Sequence, residues 1–256
     1  MSTGMPEHFM RIAEEYRTLR ETDSPPITVI QSHLPQKPLL GADIGCGTGR
    51  YSELVLSVLE QDSTLHCVDA NEEMLAELKR RIMSTHGKTV SPIISPAEEL
   101  PFEPEKLDFI TTFNAVHHFD LDRFLKEVRR VVKPQGQAFV YTRTQEQNQR
   151  GIWGTHFPGF NEKENRLFSR KSIEEAIRRS LGLAIKSVVE FVFQRRKKLN
   201  ELIEKAKKHH YSTFALYDDT ELTTAIDTFK RNILKQYENP EDITYDDENT
   251  LFIVQA

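Results

Sequence analysis

The chain has no run of about 18 apolar residues, no basic segment leading into an apolar one at its start, and only two cysteines among 256 residues. The first absence excludes a membrane-spanning helix, and the second gives no sign of a secretory leader. Cys46 and Cys67 lack the C-x-x-C spacing of a zinc or redox site and are too few for a disulfide scaffold. Together these absences lead us to expect a cytoplasmic protein with free thiols. Metal-site spacing is also missing. His117, His118 and His156 come with no carboxylate pair and no i, i+4 partner, so no metal is expected.

A strong net charge is lacking too. The formal charge is only -5, but it is unevenly spread, with 16 Lys+Arg against 8 Asp+Glu in residues 143 to 210. A basic segment on an acidic body suits an anionic substrate or nucleic acid, and it suits a merely solvated helix face equally well. The length fits one α/β domain with insertions and a sizeable core.

What the chain does contain is organised around residues 40–49, LGADIGCGTG. Leu39 to Ile44 reads as a short buried strand, and Gly45, Gly47 and Gly49 let the backbone turn tightly and approach a ligand. Tyr51, Leu54, Val55, Val58 and Leu59 then recur at helical spacing. Strand, glycine loop and helix form the first half of a mononucleotide-binding unit. The spacing is G-x-G-x-G followed by Arg50, where a dinucleotide fingerprint wants a small residue. Asp43 at the strand end repels a pyrophosphate and attracts an ammonium or sulfonium, which disfavours a nicotinamide dehydrogenase.

An N-terminal helix is expected after Pro6, with Phe9, Ile12, Ala13, Tyr16 and Leu19 inward, and a second over Ile27 to Leu34. These make residues 1–35 a helical flap. Thr64 to Asp69 reads as a second strand whose final acid lies 20 residues beyond Gly49, a distance suited to ribose hydroxyls. Asn71 caps a helix with Met74, Leu75, Leu78 and Ile82 inward, ended by Gly87. Strands follow at Thr89 to Ile94, Leu107 to Phe113 and Gln137 to Arg143, with a helix capped by Asp120 or Asp122 and a turn at Lys133-Pro-Gln-Gly136.

This order of elements resembles the class I S-adenosylmethionine-dependent methyltransferases over about residues 36 to 143. The matching stretches are ADIGCGTG, the acid Asp69, AEELPF after strand three, NAVHHF after strand four, and LKEVRRVVKPQG before strand five. The nearest likeness is to small-molecule enzymes of the quinone-biosynthesis type. The resemblance implies an α/β, Rossmann-like seven-stranded sheet of order 3-2-1-4-5-7-6 with strand seven antiparallel, and S-adenosylmethionine as cofactor. It places Gly45 and Gly47, with Asp43 nearby, at the methionine part, Asp69 at the ribose, Ala70 and Met74 beside the adenine, Ala97 and Glu98 along the adenine edge, and the Asn114 backbone near the methionyl group. Two positions depart from the family's pattern. Pro96 stands where an adenine-binding Asp is common, and Gln135 replaces a more usual glycine.

Residues 36–143 are thus expected to be the cofactor-binding core, and 144–256 the rest of the sheet carrying helical lid insertions. Ala184 to Phe193 reads as strand six and Asn249 to Gln255 as strand seven. The excursions 144–170 and 194–248 leave the carboxyl ends of parallel strands, the side on which ligands bind in open α/β sheets. The first holds Trp153, His156, Phe157 and Phe160, and the second a basic helix from Arg195 to Lys208. Methyl transfer needs collinear nucleophile, methyl and sulfur, exclusion of water, and a base only for a protonated acceptor. His117 is the first choice for that base, on the assumption that consecutive side chains of an extended segment point opposite ways; His156 and Tyr211 are the alternatives. The expected partner is a small-molecule methyl acceptor, with a tRNA or other RNA methyltransferase and a non-catalytic cofactor-binding protein as rival readings.

Overall fold

A computed structural model of the chain describes residues 22–81 and 88–256. The helix expected after Pro6, and the ends of the helix expected at Ile82 and Gly87, lie outside the described residues. The described chain divides into two compact units. The first runs to Thr142 and regains Lys171–Val189 and Thr250–Ala256, while the second holds Arg143–Arg170 and Glu190–Asn249.

The first unit opens with α1 (Pro25–His33), where proline at the first helical turn removes a donor that would have no partner there. Then come β1 (Leu40–Ile44), α2 (Arg50–Val58), β2 (Thr64–Asp69), α3 (Glu72–Arg81), β3 (Thr89–Ile94), β4 (Leu107–Phe113), α4 (Leu121–Val131) and β5 (Val132–Thr142). The seven-stranded sheet has the order β3-β2-β1-β4-β5-β7-β6, with β6 at Ala184–Lys197 and β7 at Ile243–Gln255. Neighbours among β1 to β5 are parallel, and β7 returns antiparallel beside β5. Both β1 and β4 are buried along almost their whole length, which is why they read as near-continuous apolar runs without alternation. α4 shows the other pattern. Leu121, Phe124, Leu125, Val128 and Val131 are buried at helical spacing, and Asp120, not Asp122, caps the helix by accepting from the Arg123 N–H at 3.0 Å.

Lys133-Pro-Gln-Gly136 is not a free turn, because β5 already begins at Val132. The Gln135 N–H donates to Ala256 O at 2.9 Å and the Ala256 N–H to Gly136 O at 3.0 Å, so the end of the chain pairs with this stretch. Gln135 itself has φ 69°, the left-handed conformation that a glycine there would take without strain.

β6 runs four residues beyond the expected Phe193, and β7 begins six residues before the expected Asn249. Arg195, Arg196 and Lys197 therefore lie on a strand, and the helix α9 starts only at Leu199 (Leu199–Lys207). In the second unit α5 (Gln145–Arg150) leads into α6 (Ile152–His156), and α6, α7 (Phe160–Lys163), α9 and α10 (Asp219–Gln236) share an apolar core. α8 (Arg170–Arg179) lies almost wholly in the first unit. Trp153 sits inside the second unit's core, stacked on Phe229 with centroids 5.0 Å apart and edge-on to Phe214 at 5.1 Å. Phe157 and Phe160 are buried in the same cluster, so these aromatics hold the unit together. Among the described residues no helix is long and apolar enough to cross a membrane.

Candidate functional site

The glycine loop is fixed by β2. Both Gly45 and Cys46 donate their N–H groups to Val68 O, at 2.8 and 3.1 Å, and Gly49 closes the turn onto Cys46 O at 3.0 Å. Gly45 and Gly47 have φ of 68° and 54°. At Gly45 a Cβ would lie 2.6 Å from the Ala115 Cβ and 2.9 Å from the Phe119 ring, so glycine there lets the loops after β1 and β4 touch. At Gly47 a Cβ would meet nothing within 4 Å. The space in front of Gly47 is open.

That space belongs to a cavity of about 440 Å³, a volume suited to a cofactor. Its walls include all nine residues expected around a cofactor: Asp43, Gly45, Gly47, Asp69, Ala70, Met74, Ala97, Glu98 and Asn114. They come from the ends of β1 to β4, and every lining residue belongs to the first unit.

Asp69 is held through both carboxylate oxygens. Oδ2 accepts from the Gly47 N–H at 2.7 Å and Oδ1 from the Asn71 N–H at 2.9 Å, which leaves lone pairs on each oxygen for ligand hydroxyls. Asn71 in turn caps α3 by accepting from the Met74 N–H at 3.0 Å. The acid, the glycine loop and the start of the helix carrying Met74 are therefore tied together by hydrogen bonds.

Asp43 is only 1% exposed. It accepts from Ser52 Oγ at 2.5 Å and from Thr111 Oγ1 at 3.0 Å, on the helix and strand that flank β1. Burial pushes its carboxyl up to about 7, against the pull of those two hydroxyls and helped by the charge of Asp69. Asp43 thus ties β1 to α2 and β4 as well as facing the cavity, a bracing role that its position at a strand end does not reveal.

The far wall follows β3 and β4. Glu98 does not point a free carboxylate at the cavity, since its Oε1 accepts the Asp120 N–H at 2.7 Å. Pro96 and Ala97 beside it offer no side-chain hydrogen bonds. Asn114 takes φ 51°, rare for a non-glycine residue, and its N–H donates to Tyr141 O at 2.7 Å. Backbone strain of this kind concentrates at functional sites.

The histidines fall differently from expectation. His118 and Phe119 line the cavity, and His117 is not part of its wall. The segment is a 3₁₀ turn over Val116–His118 and not extended chain, so alternation along a strand does not apply, and the two imidazoles lie with centroids 4.2 Å apart and planes tilted by 44°. His156 and Tyr211 belong to the second unit. His156 ends α6, 6.0 Å from the Tyr237 ring, and partial burial lowers its pKa. Tyr211 accepts from Arg143 Nη1 at 3.1 Å, with the guanidinium over its ring. Burial opposes the charge of Arg143, and Tyr211 with Asp247 outweigh it and hold the guanidinium above its ordinary pKa. Among the described residues there is no cluster of His, Cys, Asp and Glu able to hold a metal ion.

The basic stretch of the second unit is largely matched by carboxylates. Arg143 and Arg195 share Asp247, Arg196 pairs with Asp242, Lys198 with Glu241, Lys207 with Glu204 and Arg150 with Glu248. Most of these acids lie beyond residue 210, outside the stretch whose charge stands out in the sequence.

The residues present fit an adenosyl cofactor carrying a sulfonium. The opening at Gly47 admits a ligand against backbone, Asp69 has acceptors for hydroxyls, Met74 and Ala70 give an apolar surface, and Asp43 supplies negative charge close to the loop. Residues 42–140 match the family described as methyltransferase domain. The chain is 32% identical over 104 residues to demethylmenaquinone methyltransferase of Bacillus mycoides, covering 40% of this chain and 44% of the relative. It is 35% identical over 120 residues to the mouse protein named "Probable tRNA methyltransferase 9B", covering 45% and 24%. It therefore spans less than half the length of either relative. In solved structures the fold recurs in a protein from Anabaena variabilis, with TM-score 0.69 and 21% identity over 93% of this chain and 99% of that one. It recurs also in a SAM-dependent methyltransferase from Aquifex aeolicus, with TM-score 0.57 and 18% identity over 69% and 91%.

Proposed function

We propose that this chain, whose residues 42–140 match a methyltransferase domain, is a class I S-adenosylmethionine-dependent methyltransferase that transfers a methyl group from the cofactor to a small molecule by in-line displacement. The bound cofactor supplies an electrophilic methyl group on a sulfonium. The chain's own residues bind it, orient it and keep water away. Asp69, fixed by two backbone N–H groups, takes the ribose hydroxyls. Gly47 brings backbone against the methionyl part, and Asp43 favours the positive charge there. With Pro96 and an engaged Glu98, adenine selection rests on the Ala97 backbone and on packing against Met74 and Ala70.

The single observation that carries this reading is the open space at Gly47 beside the doubly anchored Asp69. His118, on the cavity wall, replaces His117 as the histidine at the methyl end.

Carboxylate partners offset part of the charge of residues 195 to 208, which favours a small molecule over RNA. Arg195, Arg196, Lys198 and Lys207 have carboxylate partners, and a phosphate would have to displace them. Incubation with methyl-labelled cofactor and a cell extract, followed by ribonuclease and size separation, tests the assignment. Label in a low-mass, nuclease-resistant compound is expected. Label confined to RNA sinks the small-molecule reading in favour of RNA methylation, and no label with intact cofactor binding favours a non-catalytic binder.

A further inference from the structure

The loop after β3 is the stretch of cavity wall whose polar groups are most fully used within the chain. Ser95, Pro96, Ala97 and Glu98 line the cavity there. The Ser95 N–H donates to Asp69 O at 3.1 Å, so the loop starts beside the acid assigned to the ribose, and Ala97 lies two residues farther along. The Ser95 hydroxyl donates to Glu99 O at 2.6 Å, Pro96 O accepts the Glu99 N–H at 3.3 Å, and Glu98 Oε1 accepts the Asp120 N–H at 2.7 Å. The side chains of Pro96 and Ala97 neither donate nor accept.

One donor is left over. Ala97 is only 5% exposed, and its N–H meets no acceptor among the described residues. A buried N–H without a partner is rare in a folded chain. The peptide joining Pro96 to Ala97 is planar and trans, so this N–H points away from Pro96 O, which the turn holds on the Glu99 N–H. The loop thus has a spare backbone donor and, next to it, the exposed apolar ring of Pro96.

In an adenosine whose ribose is held at Asp69, the edge of the base remote from the sugar carries the ring nitrogen N1, an acceptor, and beside it the 6-amino group, a donor. N1 is the partner that the Ala97 N–H lacks. The amino group is then left next to Pro96, which has no acceptor for it.

We propose that the base end of the cavity recognises a purine at N1 through the Ala97 N–H and leaves the 6-amino group unread at Pro96. The inference rests on the methyltransferase reading and adds to it the class of cofactor the chain admits: a purine nucleoside cofactor with an unprotonated N1, whether or not it carries the amine. A hypoxanthine base, protonated at N1, sets donor against donor and is refused. A site rejects an analogue strongly only where its own polar group would be left unpaired. The Ala97 N–H is such a group, and Pro96 supplies none.

Calorimetry with S-adenosylhomocysteine, its 6-deamino analogue and its inosine analogue tests this on wild type, Pro96→Asp and Glu98→Gln, with melting temperature as the check on folding. In wild type the deamino analogue should bind within about threefold of S-adenosylhomocysteine, and the inosine analogue at least about tenfold more weakly. Pro96→Asp puts an acceptor beside the amine, so in that variant the deamino analogue should fall about tenfold behind S-adenosylhomocysteine. Glu98→Gln should keep the wild-type pattern. If Pro96→Asp fails to fold, Pro96→Asn takes its place with the same expected result. Wild type that loses more than about threefold with the amine, or less than about tenfold with the inosine analogue, overturns the proposal. A folded Pro96 variant without the new discrimination overturns it as well. A wild-type preference for the amine that disappears in Glu98→Gln assigns its recognition to Glu98 instead. Wild-type protein that binds none of the three ligands removes the methyltransferase reading itself.

Discussion

Replacing Asp43 by Asn isolates one buried ionisation. In the folded chain the carboxyl is pushed from 3.8 to about 7 by burial, with the charge of Asp69 adding to the shift and Ser52 and Thr111 opposing it. The Cys46 thiol stands near the same group and is itself pushed up by burial. A folded pKa above the unfolded one means that the folded state holds the proton more tightly. The resulting stabilisation is fully present below about pH 3.8 and is lost as pH rises through about 7. The gap corresponds to roughly 4 kcal/mol at most. Asn carries no such titration and keeps one acceptor and one donor for the two hydroxyls. Urea unfolding from pH 4.5 to 8.5, followed by circular dichroism, should show Asp43→Asn gaining on wild type as pH rises, by a few kcal/mol. A stability difference between the two proteins that stays constant within about 0.5 kcal/mol across that range refutes the reasoning.

The same carboxylate links pH to ligand binding: a sulfonium favours ionised Asp43, so affinity for S-adenosylmethionine should rise between about pH 6 and 8 in wild type, and calorimetry should find it nearly flat in Asp43→Asn. Gly47→Ala should lose cofactor affinity at least about tenfold with a small drop in melting temperature, because its Cβ enters open space at φ 54°. Gly45→Ala should instead cost about 1–3 kcal/mol of stability, since its Cβ lies 2.6 Å from that of Ala115; equal effects of the two substitutions in denaturation and binding assays would contradict the assignment. Trp153→Phe should cost on the order of 1–3 kcal/mol of the second unit's stability and leave cofactor affinity unchanged, as seen by proteolysis of that unit beside calorimetry.

The cofactor cavity was legible in the sequence because its determinants are local. Glycines at alternate positions, an acid ending the next strand and Ala97-Glu98 after the third are each short stretches whose meaning does not depend on distant packing. Asp43 was only half legible, since its partners Ser52 and Thr111 come from a helix and from a strand 68 residues away. That His118 and not His117 lines the cavity was illegible for a conformational reason, the 3₁₀ turn that replaces extended chain. The carboxylate partners of the basic stretch were illegible for an electrostatic one. Its cations are matched by Asp242, Asp247, Glu241 and Glu248, which the sequence places in a separate acidic segment and the fold brings beside β6 and α9.

The central claim is that the cavity at Gly47 holds S-adenosylmethionine through Asp69. Calorimetric titration of wild type and Asp69→Ala with S-adenosylmethionine and S-adenosylhomocysteine tests it most directly. Loss of a charged hydrogen-bond acceptor is worth about 1.5–3 kcal/mol, so wild type should bind both ligands and Asp69→Ala should bind each roughly 10- to 100-fold more weakly. No heat with wild type, or undiminished affinity in Asp69→Ala, contradicts the account.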